Sequence, residues 1–294
     1  MFVKSFVIKP ATVVAAVVFL FSFLCGSLYF LQARLEDTPV LVSETSIKVP
    51  IVMYHHINQR QGSQGAYVLS PDELEKDLVF LQKKGYTTIH MADLINYVYN
   101  GTSLPERPIV LTFDDGYESN YVYAYPLLQK HGMKGVIAVV GEYSALYSAG
   151  EDHNINYSHV TWDEIKELHD SGILEIQNHT YNLHTISDAR RGSAIRKGEN
   201  VEAYQKMLKE DLVKLQQILY EVTGAYPNTF VYPFGYVSKE SLSVIRNTGF
   251  LASFSCEERI NHIVRDPECL YLLGRYNRPH GKSPESFFQN ILPQ

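Results

Sequence analysis

The chain has 294 residues, 45% of them apolar and 20% charged, which excludes a chain too polar to build a core. Its net charge is −6 with no long basic run, which speaks against nucleic acid as a partner. The three cysteines, Cys25, Cys256 and Cys269, form no C-x-x-C metal pattern, and Cys256 and Cys269 fit one disulfide or two free thiols equally well.

Residues 11–31, from Ala11 to Leu31, carry no charge. About 20 apolar residues at roughly 1.5 Å each cross a bilayer core, so this stretch is expected to be a transmembrane anchor. Lys4 and Lys9 precede it, whereas Arg34 is offset by Glu36 and Asp37. The bias places residues 1–10 in the cytoplasm and the body outside the cell, in a single-pass cell-membrane protein. The rival is a cleaved signal peptide and a secreted body. Its apolar core usually spans only about 7–15 residues, and Leu28 to Ala33 is a poor cleavage sequence. Residues 32–48 mix small polar and charged residues with Pro39 and read as a linker, leaving 49–294 as one domain.

Within that domain Val49 to Tyr54 reads as a buried strand. Ser70-Pro71-Asp72-Glu73 starts a helix that runs to Lys84, where Gly85 stops it. Tyr86 to His90 reads as a strand, Met91 to Tyr99 as a helix, and Pro108 to Phe113 as a strongly apolar strand ending at Asp114-Asp115-Gly116. Asn120 to His131 is helical despite Pro126, and Gly135 to Val140 is a strand. Thr161-Trp162-Asp163-Glu164 is a capping box that opens a helix to Ser171. Ile173 to Gln177 is a strand, and Glu199 to Val222 a long amphipathic helix. Further strands are expected at Thr229 to Tyr232, Phe250 to Ser255 and Leu270 to Leu273, with a helix near Ser238 to Asn247. Residues 143–157 and 187–200 read as long loops. Strand and helix alternate about seven times, which argues an α/β fold with a mainly parallel sheet, naturally closed as a barrel.

In such a fold chemistry sits at the C-terminal strand ends. Asp114 and Asp115 end one strand, where one acid can hold a metal while the other takes a proton; a polar turn is the plainer reading. His179 and His184 are five apart, about 140° apart on a helix and on opposite faces of a strand, so only a turn brings them together. Two imidazoles and a carboxylate are a common divalent-metal set, although two unrelated loop histidines fit as well. His55 and His56 follow a buried strand, and one of them suits a general acid. Tyr232-Pro233-Phe234-Gly235 ends another strand in a turn that can offer backbone N–H groups to an oxyanion and an aromatic face to a sugar.

Taken in this order, the segments resemble the NodB-type polysaccharide deacetylases, carbohydrate esterase family 4, from about Val49 to the C-terminus. The resemblance implies a distorted (β/α) barrel of about seven strands, the NodB homology fold. It makes Asp114 the catalytic base and Asp115, His179 and His184 the ligands of one divalent metal ion. Zinc is the default, and cobalt, nickel, iron or manganese also suit the set. Tyr232 and Phe234 become substrate contacts. Three departures stand out: histidines five rather than four apart, Val231 in the place of the usual arginine, and no late catalytic histidine near Leu270 to Arg278. They match the branch that deacetylates biofilm poly-N-acetylglucosamine, which shows His-Thr-x-x-x-His and begins with a Tyr-His segment. By that resemblance His55 is the general acid, and Arg275 stands beside Asp114.

The implied activity is metal-dependent hydrolysis of N-acetyl groups on an N-acetylglucosamine-containing polysaccharide of the cell surface or matrix, releasing acetate. The alternatives are an O-acetyl glycan esterase using the same site and an inactive glycan-binding domain of this fold. A glycosidase is disfavoured, because its two carboxylates flank the bond some 5–9 Å apart.

Overall fold

The computed structural model describes residues 46–187 and 189–293. The expected anchor at 11–31, its flank 1–10 and most of the 32–48 linker lie outside those residues. Among the described residues no helix is long and apolar enough to cross a membrane.

The domain is built on a parallel sheet. In chain order the strands are β1 (Ile47–Val49), β2 (Ile51–Tyr54), β3 (His56–Ile57), β4 (Val68–Leu69), β5 (Thr87–Thr88) and β6 (Pro108–Phe113), followed by β7 (Gly135–Val139), β8 (Leu174–Asn178), β9 (Thr229–Val231), β10 (Ala252–Phe254), β11 (Asn261–Ile263) and β12 (Tyr276–Asn277). The main sheet runs β10-β9-β8-β7-β6-β2-β12 with every neighbour parallel, and β5 adds to the start of β6. Strands β2, β6 and β7 are buried at every residue, as unbroken apolar runs demand when both faces of a sheet are covered. Strands β1 and β11 form a separate antiparallel pair, and β3 with β4 a short parallel one.

The helices pack outside this sheet: α1 (Pro71–Lys83), α2 (Met91–Asn100), α3 (Tyr125–Lys130), α4 (Gly141–Ser148), α5 (Trp162–Asp170), α6 (Val201–Thr223), α7 (Ser241–Asn247) and α8 (Pro284–Phe288). Their starts follow local chemistry. Ser70 with Glu73, and Thr161 with Glu164, close reciprocal capping boxes on α1 and α5. Asn200 caps α6 through its side chain.

Several expectations need correction. The sheet curls into a half-barrel rather than a closed barrel: β10 and β12 share no ladder, and the single bridge from Phe254 to Leu273 spans the gap. The strand expected at Leu270 to Leu273 is a 3-10 turn, Pro267–Leu270, followed by Leu272 in the left-handed region at φ 57°, so regular pairing resumes only at β12. Asn120 to Ala124 winds as a π-turn before α3 begins, with Tyr125 N–H bonded to Asn120. Pro126 lies just beyond and lacks the N–H that a regular α-turn would use. Helix α4 occupies part of the stretch read as a loop; its N-cap is Val140, whose side chain makes no capping bond. Cys256 and Cys269 are free thiols.

Candidate active site

The parallel ladder ends at one edge of the sheet, and the chain there turns abruptly. Asp114 N–H still bonds the Tyr54 carbonyl at 2.9 Å, extending the pairing of β2 with β6. Asp115 and Gly116 then both enter the left-handed region, at φ 69° and 68°. For the aspartate this conformation is strained, a cost of order 1–3 kcal/mol that the surroundings must hold. The turn is what lets two adjacent acids line one cavity. Glycine is required after them, because a Cβ on Gly116 would sit 3.0 Å from Val139 Cγ1.

The two histidines converge in the same way. His179 follows β8, and its N–H bonds the Val139 carbonyl. Thr180 adopts φ 74° and turns the chain, with its N–H held by Asn178 Oδ1 at 2.9 Å. Asp211 of α6 fixes the loop by accepting the Tyr181 and Asn182 amides, each at 2.8 Å. His179 Nε2 and His184 Nε2 then lie 3.4 and 3.0 Å from the same Asp115 oxygen.

The donor set fits a divalent metal. One ligand atom from each of Asp115, His179 and His184 lies within 4.8 Å of the others. His179 Nδ1 meets the Val231 carbonyl at 2.8 Å, and a carbonyl only accepts, so this nitrogen carries a proton and Nε2, which faces Asp115, is the atom that would give up its proton to ligate a metal. Burial opposes ionisation of Asp115, but the hydrogen bonds from His179 and His184 outweigh it and hold the carboxyl well below its ordinary value.

Asp114 has a different partner. Arg275 Nη1 and Nη2 grip its two oxygens at 2.7 and 2.8 Å. Arg275 is itself held by Thr112 Oγ1 and the Ser255 carbonyl, and its guanidinium lies 5.1 Å from the centre of the Phe254 ring. Burial raises the Asp114 carboxyl, yet the positive charge of Arg275 and then His179 bring it below the ordinary carboxylate value. It is therefore ionised while almost wholly buried.

His55 lines the same cavity. Its Nδ1 is sealed from solvent and has no hydrogen-bond partner, and Tyr67 packs edge-on at 4.9 Å. Burial lowers its pKa, with Asp114 and Asp115 pulling the other way. His56 has both ring nitrogens engaged, by Ser119 Oγ at 2.6 Å and Asn58 Nδ2 at 3.1 Å, and stacks on Tyr117.

The cavity has a volume of about 760 Å³. Asp114, Asp115, His55, His179, His184 and Phe234 all line it, and Phe234 packs 4.4 Å from the His184 ring at φ 57°. Tyr232 does not. Its side chain is fully buried, edge-on to Phe230, and its hydroxyl meets Ser241 Oγ at 2.7 Å. The last residue before the turn points into the core because the period of a strand puts it there. The lining also includes Tyr67, Tyr117, Ile186, Tyr236, Cys256, Glu258 and Asn277, none of which the sequence reading had chosen. Tyr117 and Tyr236 lie within two residues of Asp115 and Phe234, a signal that was available; Tyr67 and Ile186 sit in loops without one.

Residues 101–253 match the family described as "Polysaccharide deacetylase". Among curated proteins, the chain is 25% identical over 224 residues to the poly-beta-1,6-N-acetyl-D-glucosamine N-deacetylase of Escherichia coli (strain K12), covering 70% of this chain and 33% of that protein. It thus spans about a third of that relative's length. It is 27% identical over 257 residues to the putative polysaccharide deacetylase YxkH of Bacillus subtilis (strain 168), covering 87% of this chain and 81% of that one. Among solved structures, a de-N-acetylase from Aggregatibacter actinomycetemcomitans superimposes with a TM-score of 0.70 at 24% identity, covering 84% of this chain and all of that one. IcaB from Ammonifex degensii gives 0.67 at 23%, covering 83% and 95%. These structures share the fold.

Proposed function

This chain belongs to the polysaccharide deacetylase family, and we propose that its reaction is hydrolysis of N-acetyl amides on a poly-N-acetylglucosamine-type polymer, releasing acetate. The observation that carries this reading is the meeting, in one cavity, of an ionised Asp114 held by Arg275 with the converging Asp115, His179 and His184. Curated relatives named for that activity support the choice of polymer.

Asp115, His179 and His184 would hold the divalent ion, whose chemistry when bound is Lewis-acid polarisation of the acetyl carbonyl and of water. Asp114 accepts the proton of the attacking water, and Arg275 fixes the direction of its oxygens. The Gly235 and Tyr236 amides are committed to the Tyr232 and Pro233 carbonyls, so Phe234 N–H is the donor that the turn has left for the developing oxyanion. His55 delivers a proton to the departing amine. Because burial keeps its imidazole neutral at rest, the proton reaches it from the neighbouring Asp114 after water attack. Tyr67, Phe234 and Tyr236, all exposed, offer ring faces to successive sugars. The 11–31 segment is proposed as the anchor that keeps this domain outside the cell, beside such polymers.

The test is acetate release by the full-length protein from N-acetylglucosamine oligomers, with and without a chelator. Chelator-sensitive release supports the reading. Release only from O-acetylated glycans would replace it with the esterase reading, and no release from either, with metal restored, would leave a glycan-binding domain.

A further inference from the structure

A second group of metal-ligating side chains lies outside the cavity, just beyond the Asp-Asp-Gly turn in the chain. Glu118 follows that turn by two residues and is 5% exposed. Its Oε1 accepts from His153 Nδ1 at 3.0 Å, while its Oε2 is sealed from solvent without any donor. Glu164, the third residue of α5, is close by: ligand atoms of Glu118, His153 and Glu164 all lie within 4.8 Å of one another. Glu164 uses Oε2 to cap α5, accepting from Thr161 N and Thr161 Oγ1 at 2.8 and 3.0 Å, so its Oε1 remains for another partner.

A buried carboxylate oxygen with no donor is costly, and a second carboxylate beside it adds repulsion. Burial pushes the Glu118 carboxyl up, the His153 hydrogen bond pulls it back, and Glu164 and Asp152 push it up again. A cation would satisfy all three demands at once.

We propose that Glu118, His153 and Glu164 form a second divalent-cation site, separate from the cavity cluster, that fastens the 149–160 strap to the turn carrying Asp114 and Asp115. Two carboxylates and one imidazole, leaving positions for water, suit a first-row ion such as Mn²⁺ or Zn²⁺ better than a site made of oxygen alone. On binding, the ion takes the His153 Nδ1 lone pair while the neutral ring carries its one proton on Nε2, and protons that compete for the imidazole and the carboxylates lower the affinity as pH drops.

The strap is already joined to the turn at its far end. Glu118 N–H bonds the Ser158 carbonyl, Val160 N–H bonds the Gly116 carbonyl, and Tyr117 pairs with His159. Nearer its middle, Asn156 Oδ1 accepts from Asn58, which in turn holds His56. The cation would add a tie at His153, which is otherwise exposed. Tyr117, which stacks between His56 and His159, lines the cavity, so the tie bears on the cavity wall without touching the reacting atoms.

The test uses Mn²⁺ and the full-length protein carrying His179→Ala and His184→Ala, which removes the cavity cluster. Electron paramagnetic resonance titration should show one Mn²⁺ retained per chain. Adding Glu118→Gln should weaken that binding at least tenfold, and adding the exposed His153→Ala should weaken it by a smaller factor without altering the melting temperature of the metal-free protein. Mn²⁺ should also slow proteolysis within 149–157 in the parent and not in His153→Ala. Absence of retained Mn²⁺, or equal affinity in both added variants, overturns the proposal. If Glu118→Gln fails to fold, the His153→Ala titration decides alone.

Discussion

Arg275 and Arg278 flank the two-residue strand β12, three positions apart, and each grips one aspartate with two nitrogens. Arg275 holds Asp114 at 2.7 and 2.8 Å; Arg278 holds Asp77 of α1 at 2.8 and 3.0 Å. Both guanidinium groups are fully buried, and each lies about 5 Å from a phenylalanine ring, Phe254 for one and Phe287 for the other. An odd spacing on extended chain sends the two side chains to opposite faces. One meets Asp114 behind the cavity wall and the other meets Asp77 in the helix layer. What differs is the company. Asp77 has Tyr54 Oη as a further donor and no opening to solvent, and burial pushes it up to about 6. Asp114 has the charge and hydrogen bonds of Arg275 supplemented by His179, which bring it down although it is as deeply buried. The same ion pair therefore keeps a raised, structural carboxyl in one place and an ionised, cavity-lining carboxylate, the proposed base, in the other, according to the groups that surround it.

The largest expected effect separates those two roles. Asp114→Asn keeps the volume and removes the proton acceptor, so acetate release should fall on the order of 10³-fold, within the range for a lost acid–base group, while metal content stays unchanged. Full activity in that variant would remove Asp114 from the chemistry. Arg278→Leu should do the opposite. It leaves the Asp77 charge buried without its partner, which costs about 3–5 kcal/mol. The midpoint of urea unfolding should drop accordingly, with the rate per folded molecule unchanged below the melting transition. A loss of turnover without a loss of stability would erase the distinction.

A second contrast, smaller in effect, lies between neighbours on one strand end. His55 has an unpartnered Nδ1 in the cavity, whereas His56 is tied by Ser119 and Asn58. His55→Ala should slow turnover by about 10²-fold, the low end for an acid catalyst. His56→Ala should cost stability and leave most of the rate. Comparable rate losses in the two would mean that neither is distinguished as the proton donor.

These pairs also mark what the sequence could say. The Thr112 to Gly116 run, the buried strand before it and the capping boxes at Ser70 and Thr161 are local signals, and the structure has the corresponding strand end and helix starts. The need for a turn between His179 and His184 followed from their spacing, and Thr180 provides it. Arg278 and Asp77 are 201 positions apart, and no local pattern joins them. Tyr232 was drawn toward the site by the turn that follows it, but alternation along β9 sends it into the core. Curling of the sheet depends on how β10 and β12 approach each other, which strand periodicity does not encode. Helix α4 lacked a side-chain cap and so left no mark at its start.

The smallest expected effect tests whether the structural tie extends beyond Arg278. One turn before Asp77 on α1, Glu73 accepts from Gly281 N–H at 2.9 Å, His280 Nδ1 at 2.7 Å and Ser70 Oγ at 2.9 Å. Burial raises its carboxyl, but the Gly281 amide, His280 and Ser70 outweigh that and hold it at about 2. A carboxyl whose folded value lies below its ordinary 4.5 contributes stability that is complete above the unfolded value and lost as pH falls toward the folded one. The stability difference between the parent and Glu73→Gln should therefore be constant near neutral pH and shrink between about 4.5 and 2. Because the group is partly solvent-facing, the plateau should be small beside the Arg278→Leu effect. A difference that stayed flat down to pH 2 would mean that the carboxylate charge contributes nothing, and that the strap from Arg278 to Lys282 is held to α1 by Asp77 alone.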